Sequence, residues 1–308
     1  MLIYKYQLDV LLRDFVGITF PFRYDFLKQI VAGMESLGWN PYAVDHEDAN
    51  GQFEMNFEYT DCLETAHRHT FFKYMAKSVA ENHGFKATFM PKPFADKSGS
   101  GCHVHISLWE EDQSSSKNVF LANEETCPLG LSDIGYRFMA GIIHNAEALC
   151  AFINPTVNSY KRISAQTTTS GATWAPNYIS YTGNNRTHMI RIPEPGRFEL
   201  RLGDGGANPY LLQAAILAAG IDGLENKRNP GERMDFNMYD VANAQYAQSL
   251  KKLPENLLDA LRALEENVAF KKYLGERNVQ SYVKLKKAEW HDYHGKISEW
   301  ERENTLDI

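Results

Sequence analysis

Residues 42–57 read Tyr-Ala-Val-Asp-His-Glu-Asp-Ala-Asn-Gly-Gln-Phe-Glu-Met-Asn-Phe. Asn50-Gly51 is the strongest short-range signal for a two-residue hairpin turn, because both residue types tolerate the positive φ that such turns require. That turn sets Ala49 against Gln52, Glu47 against Glu54 and Asp45 against Asn56. The second strand alternates. Phe53, Met55, Phe57 and Tyr59 share one face, and Gln52, Glu54, Asn56 and Glu58 share the other. Facing residues have Cβ atoms about 4.5–5.5 Å apart, where like charges destabilise the pair. Two facing carboxylates therefore imply a cation between them or a shared proton. The alternative is an amphipathic strand with a solvated acidic face, and the hairpin alone leaves both open.

Outward from the hairpin, the chain alternates helical and extended patterns. Phe26, Leu27, Ile30, Val31, Met34 and Leu37 follow a helical period over 24–37, with Gly38 as the stop. A second helix opens at Asp61, with Glu64 completing a capping-box pattern. It runs through Leu63, Ala66, Phe71, Met75 and Val79 to Gly84. Strands are expected at 86–90, 102–109, 188–192 and 197–202, and a helix over 132–152. Asn208-Pro209 caps a nearly all-apolar, hence buried, helix over 210–224, and the tail from Glu255 is helical. Residues 1–23 show no clean period, 110–118 form a polar loop tip, and 154–185 are irregular. With no internal repeat and no long linker, this is an α+β chain with antiparallel pairing, taken as one domain over 1–308.

Composition excludes several function classes. The 308 residues carry a net charge of −7 with no basic stripe, which argues against nucleic acid as a partner. No run approaches a membrane span, and the first residues lack a signal-peptide pattern. The four cysteines, Cys62, Cys102, Cys127 and Cys150, have no metal-type spacing and suit reduced thiols in a cytoplasmic protein.

Two further polar faces carry chemistry. In Gly-Ser-Gly-Cys-His-Val-His-Ile-Ser-Leu-Trp (99–109), His103, His105 and Ser107 share one strand face behind a glycine loop. No Gly-Lys-Ser/Thr follows, so the loop is not a P-loop. In the other, Arg197, Glu199 and Arg201 alternate with Phe198, Leu200 and Leu202. Arg162, Arg186 and Arg191 precede them, and only Glu194 and Glu199 interrupt an acid-free run over 162–203. Guanidinium forks in such numbers match phosphates and carboxylates. Glu199 is either their ion-pair partner or a metal ligand. Carboxylates with imidazole suit Mg²⁺ or Mn²⁺, and the whole set is equipment for phosphoryl transfer from ATP.

The chain resembles the catalytic domain of the glutamine synthetase family. His-Glu-Asp-Ala-Asn-Gly-Gln-Phe-Glu (46–54), the 99–108 segment, Asn-Pro-Thr-Val-Asn-Ser-Tyr-Lys-Arg-Ile (154–163), Asn-Arg-Thr-His-Met-Ile-Arg-Ile-Pro (185–193), Arg-Phe-Glu-Leu-Arg (197–201) and Ala-Asn-Pro-Tyr-Leu (207–211) carry the likeness, in family order, over most of 40–230. The nearest branch contains glutamate–methylamine ligases and the type III enzymes of bacteria. The resemblance implies a curved antiparallel sheet, a partial barrel, backed by helices. It implies that Glu47 and Glu54 bind one divalent metal, and His103 and Glu199 a second. His105 and Ser107 would contact the nucleotide, and Arg191 and Arg197 its phosphates. Arg186 and Glu47 would act at the reacting atoms, Arg186 on the transferring γ-phosphoryl group. Arg162 and Arg201 would hold the substrate carboxylate, with Gly99 lining the glutamate site. The implied reaction forms γ-glutamyl phosphate from glutamate and ATP, then displaces phosphate with an amine. It also implies homo-oligomers with sites between subunits.

Three departures shape these expectations. The family's N-terminal β-grasp domain and its Glu-x-Glu strand have no counterpart, so the chain is expected to be a truncated form, weak or inactive alone. Ser98 stands where many members carry Asn. The segment between Arg162 and Arg186 holds no acid but does hold Trp174, which favours methylamine over ammonia; plain glutamine synthetase and an inactive nucleotide- or partner-binding domain are the alternatives. Tyr239, in Asn-Met-Tyr-Asp, sits where some members are adenylylated, and a plain surface tyrosine is the preferred reading.

Overall fold

The computed structural model describes residues 2–13, 21–112, 115–163, 165, 168–240 and 243–308. Its strands are β1 (Leu2–Arg13), β2 (Pro41–His46), β3 (Gln52–Phe57), β4 (Thr60–Asp61), β5 (Lys86–Thr88), β6 (Cys102–Asp112), β7 (Ser115–Asn118), β8 (Tyr181–Thr182), β9 (Ile190–Glu194) and β10 (Arg197–Leu200). They form an open sheet in the order β2-β3-β1-β6-β10-β9-β8; β4 and β5 also pair with β1, and β7 with β6. All pairs are antiparallel except β8–β9. The helices are α1 (Pro21–Ser36), α2 (Cys62–Asn82), α3 (Asp133–His144), α4 (Ala146–Ile153), α5 (Val157–Ile163), α6 (Pro209–Glu225), α7 (Ala244–Gln248), α8 (Leu257–Glu266), α9 (Val268–Leu274), α10 (Glu276–His294) and α11 (Glu299–Thr305).

The apolar face of the sheet builds the core. Phe53, Met55, Val104, Ile106, Phe198 and Leu200 are buried in one cluster with Phe120, Phe138 and Leu149. Phe120 stacks on Phe198 with ring centroids 5.8 Å apart. Helices α3 and α6 approach closely through glycine. A Cβ on Gly141 would lie 2.0 Å from the Ala219 carbonyl oxygen and 2.6 Å from the Gly223 nitrogen. The caps agree with the sequence. Asp61 accepts from the Leu63 and Glu64 N–H groups, and Asn208 from those of Tyr210 and Leu211. Glu64 turns to Arg68 at 2.9 Å. The buried stripe of α2 runs through Ala66, Phe72, Met75, Ala76 and Val79, leaving Leu63 and Phe71 exposed.

The structure corrects four expectations. Pairing in the β2–β3 hairpin places Asp45 opposite Glu54 and Ala43 opposite Asn56. The turn does form, with Gln52 N–H bonded to Ala49 O at 2.9 Å. Gly51 has φ +76° but Asn50 is not left-handed, so the tight turn with two positive φ values is not made and the loop widens to Asp48–Gly51. The register shifts by two residues, an even number, which keeps Glu54 and Asn56 on the expected face. The 132–152 helix breaks at Asn145, whose side chain donates to Gly141 O and Asp222 Oδ2, both at 2.9 Å. Of the 110–118 tract, residues 110–112 and 115–118 belong to the paired strands β6 and β7. The 154–185 stretch contains α5 and β8.

Residues 2–13 form β1, between β3 and β6. Lys5, Gln7 and Asp9 alternate with Tyr4, Tyr6, Leu8 and Val10, a period-2 signal that the aromatic composition hides. Residues 14–20 of the unread N-terminal stretch lie outside the described residues. No described helix is long and apolar enough to cross a membrane.

Candidate active site

Cross-strand register lays the polar residues out in rows. Asp45, Glu54 and Asp9 occupy one row across β2, β3 and β1. Asn56, Gln7 and His103 occupy the next. Lys5, His105, Glu199 and Arg191 occupy a third, across β1, β6, β10 and β9. Directly paired residues share a face, so the β2, β3, β6, β10 and β9 members of these rows make one polar surface on the sheet. Glu54, Asn56, His103, His105 and Glu199 are all buried on it, which removes the solvated-face reading of β3. Strand β1 carries Gln7 and Asp9 in register with His103 and Glu54, where the resemblance implied that the Glu-x-Glu strand has no counterpart.

Two clefts open on this face. The larger, about 560 Å³, is lined by Asp45, Glu47, Asp48, Gln52, Glu54, Ser98, Gly99, His103, Arg162, Trp174, Arg186 and Arg201, among others. The smaller, about 240 Å³, is lined by Tyr59, His105, Ser107, Trp109, Asn118 and Arg197, among others. The expected metal and glutamate residues fall into the first cleft, apart from Glu199. The expected nucleotide residues fall into the second, apart from Arg191. His103 and His105, two apart on one strand face, stand one in each.

Glu199 explains both exceptions. It is fully buried on β10, with Oε1 2.7 Å from Arg201 and Oε2 2.9 Å from Arg191. His103 Nδ1 lies 3.5 Å away and His105 Nε2 3.9 Å. Burial alone would push this carboxyl up. Arg201, the two histidines and Arg191 more than reverse that and hold it well below the usual range. His103 is driven down by burial and then by Arg201, against the pull of Glu199, so its imidazole is neutral near pH 7 with a lone pair to offer. Arg191 spends its other donors on Asn184 Oδ1, at 2.8 and 2.6 Å. The arginine expected on phosphate thus braces Glu199, and it lines neither cleft. Arg197 pairs with Glu194 and His105.

Arg162, on α5, is buried and donates to Leu202 O at 3.0 Å and Arg201 O at 3.3 Å. Beside it lies Asp204, whose carboxyl burial pushes up, against Arg162, Asn154, Ser159 and the Gly206 N–H. Gly99 is required where it stands. A Cβ there would lie 2.4 Å from Pro91 O and 2.9 Å from Arg162 Cγ. Arg201 Nε is buried without a hydrogen-bond partner. Arg186 is exposed at the cleft wall.

Sequence reading missed the residues that hold the cleft together. Buried Gln52 joins the hairpin turn to the glycine loop, accepting from Ala49 N–H and donating to Gly99 O, each at 3.1 Å. Asp48 Oδ2 accepts from Ser98 Oγ and, at 2.6 Å, from Ser170 Oγ. Ser98 thus has a specific partner in place of the family's Asn. Trp109 Nε1 donates to Ser107 Oγ at 3.0 Å in the smaller cleft. Only the strand alternation of 99–109 could have signalled any of these. Among the described residues no three His, Cys, Asp or Glu side chains form a metal cluster. Candidate donors are spread out instead: His103 Nδ1 and Glu199 Oε1 lie 3.5 Å apart, while Glu47 and Glu54 both line the larger cleft. Hard carboxylates with one neutral imidazole fit a divalent Mg²⁺- or Mn²⁺-type cation.

A family model, "Glutamine synthetase, catalytic domain", matches residues 22–305. The chain belongs to the glutamine synthetase family. It is 54% identical over 286 residues to a glutamine synthetase of Rhizobium leguminosarum bv. phaseoli, covering 93% of this chain and 64% of that protein. It is 43% identical to a glutamate–methylamine ligase of Methyloversatilis universalis, covering 92% and 63%. A solved structure titled as a GmaS/ADP complex superposes with a TM-score of 0.90 at 48% identity, covering all of this chain and 73% of that one. The chain therefore has the α+β architecture of this catalytic domain, with an open sheet, and spans a little under two thirds of the length of these curated relatives.

Proposed function

We propose that this chain is the catalytic part of an ATP-dependent ligase that joins a small amine to the γ-carboxylate of glutamate. The reading is supported above all by the sorting of two sets of residues into two clefts on one polar face. The smaller cleft would take the nucleotide, with His105, Ser107 and Trp109 along its wall and Arg197 at the phosphates. The larger would take glutamate. Arg162 and Arg201 hold its α-carboxylate, and Gly99 leaves room for it. Glu47 and Glu54 would hold one divalent cation, and His103 and Glu199 another. When bound, such cations neutralise phosphate charge.

The chemistry has two steps. An oxygen of the γ-carboxylate attacks the γ-phosphorus of ATP, and ADP leaves. Arg186 faces the transferring group and balances its charge. The amine nitrogen then attacks the acyl carbon, phosphate leaves with the bonding pair, and the nitrogen gives up a proton. Glu47, on the hairpin loop at the cleft wall, is the acid–base group placed for that transfer. Arg191 acts through Glu199.

Trp174 decides the amine in this proposal. Trp174 lines the larger cleft and offers an apolar wall to a methyl group, and 163–185 lack the carboxylate that the family resemblance associates with ammonia-using members. The 54% identity to a glutamine synthetase favours ammonia as the second reading. Self-association belongs to the same proposal, supported by the exposed Leu63, Phe71 and Tyr74 on α2. So does a cytoplasmic location, supported by four cysteines whose spacing suits reduced thiols. Phosphate release from ATP with glutamate and Mg²⁺, compared for methylamine and ammonium, tests the reading. A higher kcat/KM for methylamine is expected. A far higher value for ammonium makes the protein a glutamine synthetase. No release with either amine leaves a nucleotide-binding domain without turnover.

A further inference from the structure

Trp174 and Tyr239 are 65 residues apart in the chain and meet beside the larger cleft. The Tyr239 hydroxyl accepts the Trp174 backbone N–H at 2.7 Å. The same hydroxyl lies 3.3 Å from Thr173 Oγ1, and either oxygen can donate. The two rings meet edge to face, with centroids 5.9 Å apart and planes at 86°. Trp174 has φ 53°, in the left-handed region that bulky residues seldom adopt. Such a conformation persists only where the surroundings over-determine it. Here they do so from two sides. Ser170 is tied to Asp48 on the hairpin loop at 2.6 Å, and Trp174 to Tyr239. Tyr239 is a surface tyrosine in a loop, as expected, but its hydroxyl is committed inward to the segment that carries the indole.

We propose that Tyr239 is a positioning residue: by holding Trp174 in its left-handed conformation, it fixes the apolar wall of the larger cleft against which the alkyl group of the amine packs. The amine half of this inference rests on the ligase reading, while the holding of Trp174 does not. The distinguishing chemistry is one hydroxyl, because Tyr239→Phe keeps the ring and removes the acceptor.

Two readouts test it in the full chain. In Tyr239→Phe, hydrogen exchange at the Trp174 amide should rise about fivefold, the effect of losing one net hydrogen bond. Unchanged exchange over 168–175 overturns the pin. In steady state, the KM for methylamine should rise at least about threefold, with the KM values for glutamate and ATP held within about twofold. No change in the methylamine KM, or an equal change in all three, overturns the role at the amine. Trp174→Gly supplies the control, because glycine adopts positive φ without support. In that background Tyr239→Phe should leave the methylamine KM where Trp174→Gly put it, and additive effects on that KM count against the coupling. A wild-type chain without turnover on any amine defeats the ligase reading and the amine half together. The exchange experiment still judges the pin by itself.

Discussion

Glu199 and Glu47 are both carboxylates of the site, the first fully buried on β10 and the second half-exposed on the loop after β2. The place of Glu199 is set by two arginines and two histidines within 4 Å. The backbone of Glu47 is held on the turn by its N–H, which donates to Gln52 O at 3.0 Å. One half of the site is therefore charge-compensated inside the fold and pre-organised. The other half is carried on a turn anchored by Gln52 and Asp48. The difference teaches where stability and function coincide. A change at Glu199 must disturb both, because an uncompensated buried charge is costly. A change at Glu47 can alter chemistry with little cost to the fold.

The largest expected effect breaks the comparison directly. Glu199→Ala leaves Arg191 and Arg201 facing each other without their anion, and should lower unfolding free energy by about 3–5 kcal/mol in urea titrations. Glu47→Ala, at a half-exposed loop position, should cost well under half as much. Similar losses for the two variants would show that the halves do not differ.

A second measurement asks whether the loop half is completed by a cation. Mn²⁺ at a hundred times its Kd should stabilise the wild-type chain by about 2.7 kcal/mol through mass action. Glu54→Gln should give a clearly smaller shift in thermal melts with Mn²⁺ against chelator. Equal shifts would remove Glu54 from the metal assignment.

The third sharpens the role of the glycine loop between the halves. Gly99→Ala puts a methyl group against Pro91 O and Arg162 Cγ, so Arg162 must move. The KM for glutamate should rise about tenfold, near 1.4 kcal/mol, while the KM for ATP is held. Equal KM values for the variant and wild type would show that Arg162 does not hold glutamate.

The smallest effect lies outside the cleft, at Asp222 on α6. Burial pushes this carboxyl up, but hydrogen bonds from Arg228 and Asn145 outweigh it and bring it below the usual value. A depressed folded pKa adds stability that is present above the unfolded value near pH 4 and is lost as pH falls through the folded value. Asp222→Asn should therefore flatten the acid limb of stability against pH below about pH 4. An unchanged limb would show that the carboxylate–arginine logic of Glu199 does not extend to the partly buried pair.

Much of the site was legible because strands have a period of two. His103 with His105, Arg197 with Glu199 and Arg201, and Glu54 with Asn56 all fall on the polar face that alternation predicts. Helix starts were equally legible, since Asp61 and Asn208 cap with their own side chains. The hairpin register was not. It turned on the φ of one residue, Asn50, which the dipeptide leaves undetermined. The break at Asn145 was hidden for a related reason. Its side chain leaves the helix ladder for Asp222, a partner 77 residues away.

The sequence by itself determined the residue types, the faces they occupy and, through six ordered motifs, the family. It did so because alternation and capping are local, and because motif spacing survives without coordinates. Tertiary structure alone decided which rows meet: Lys5, His105, Glu199 and Arg191 across four strands, and Asp9, Glu54 and Asp45 across three. It also decided that Arg191 braces Glu199 and that Tyr239 grips Trp174. Those contacts depend on sheet order and on loops returning from far along the chain, and no local period or propensity encodes either.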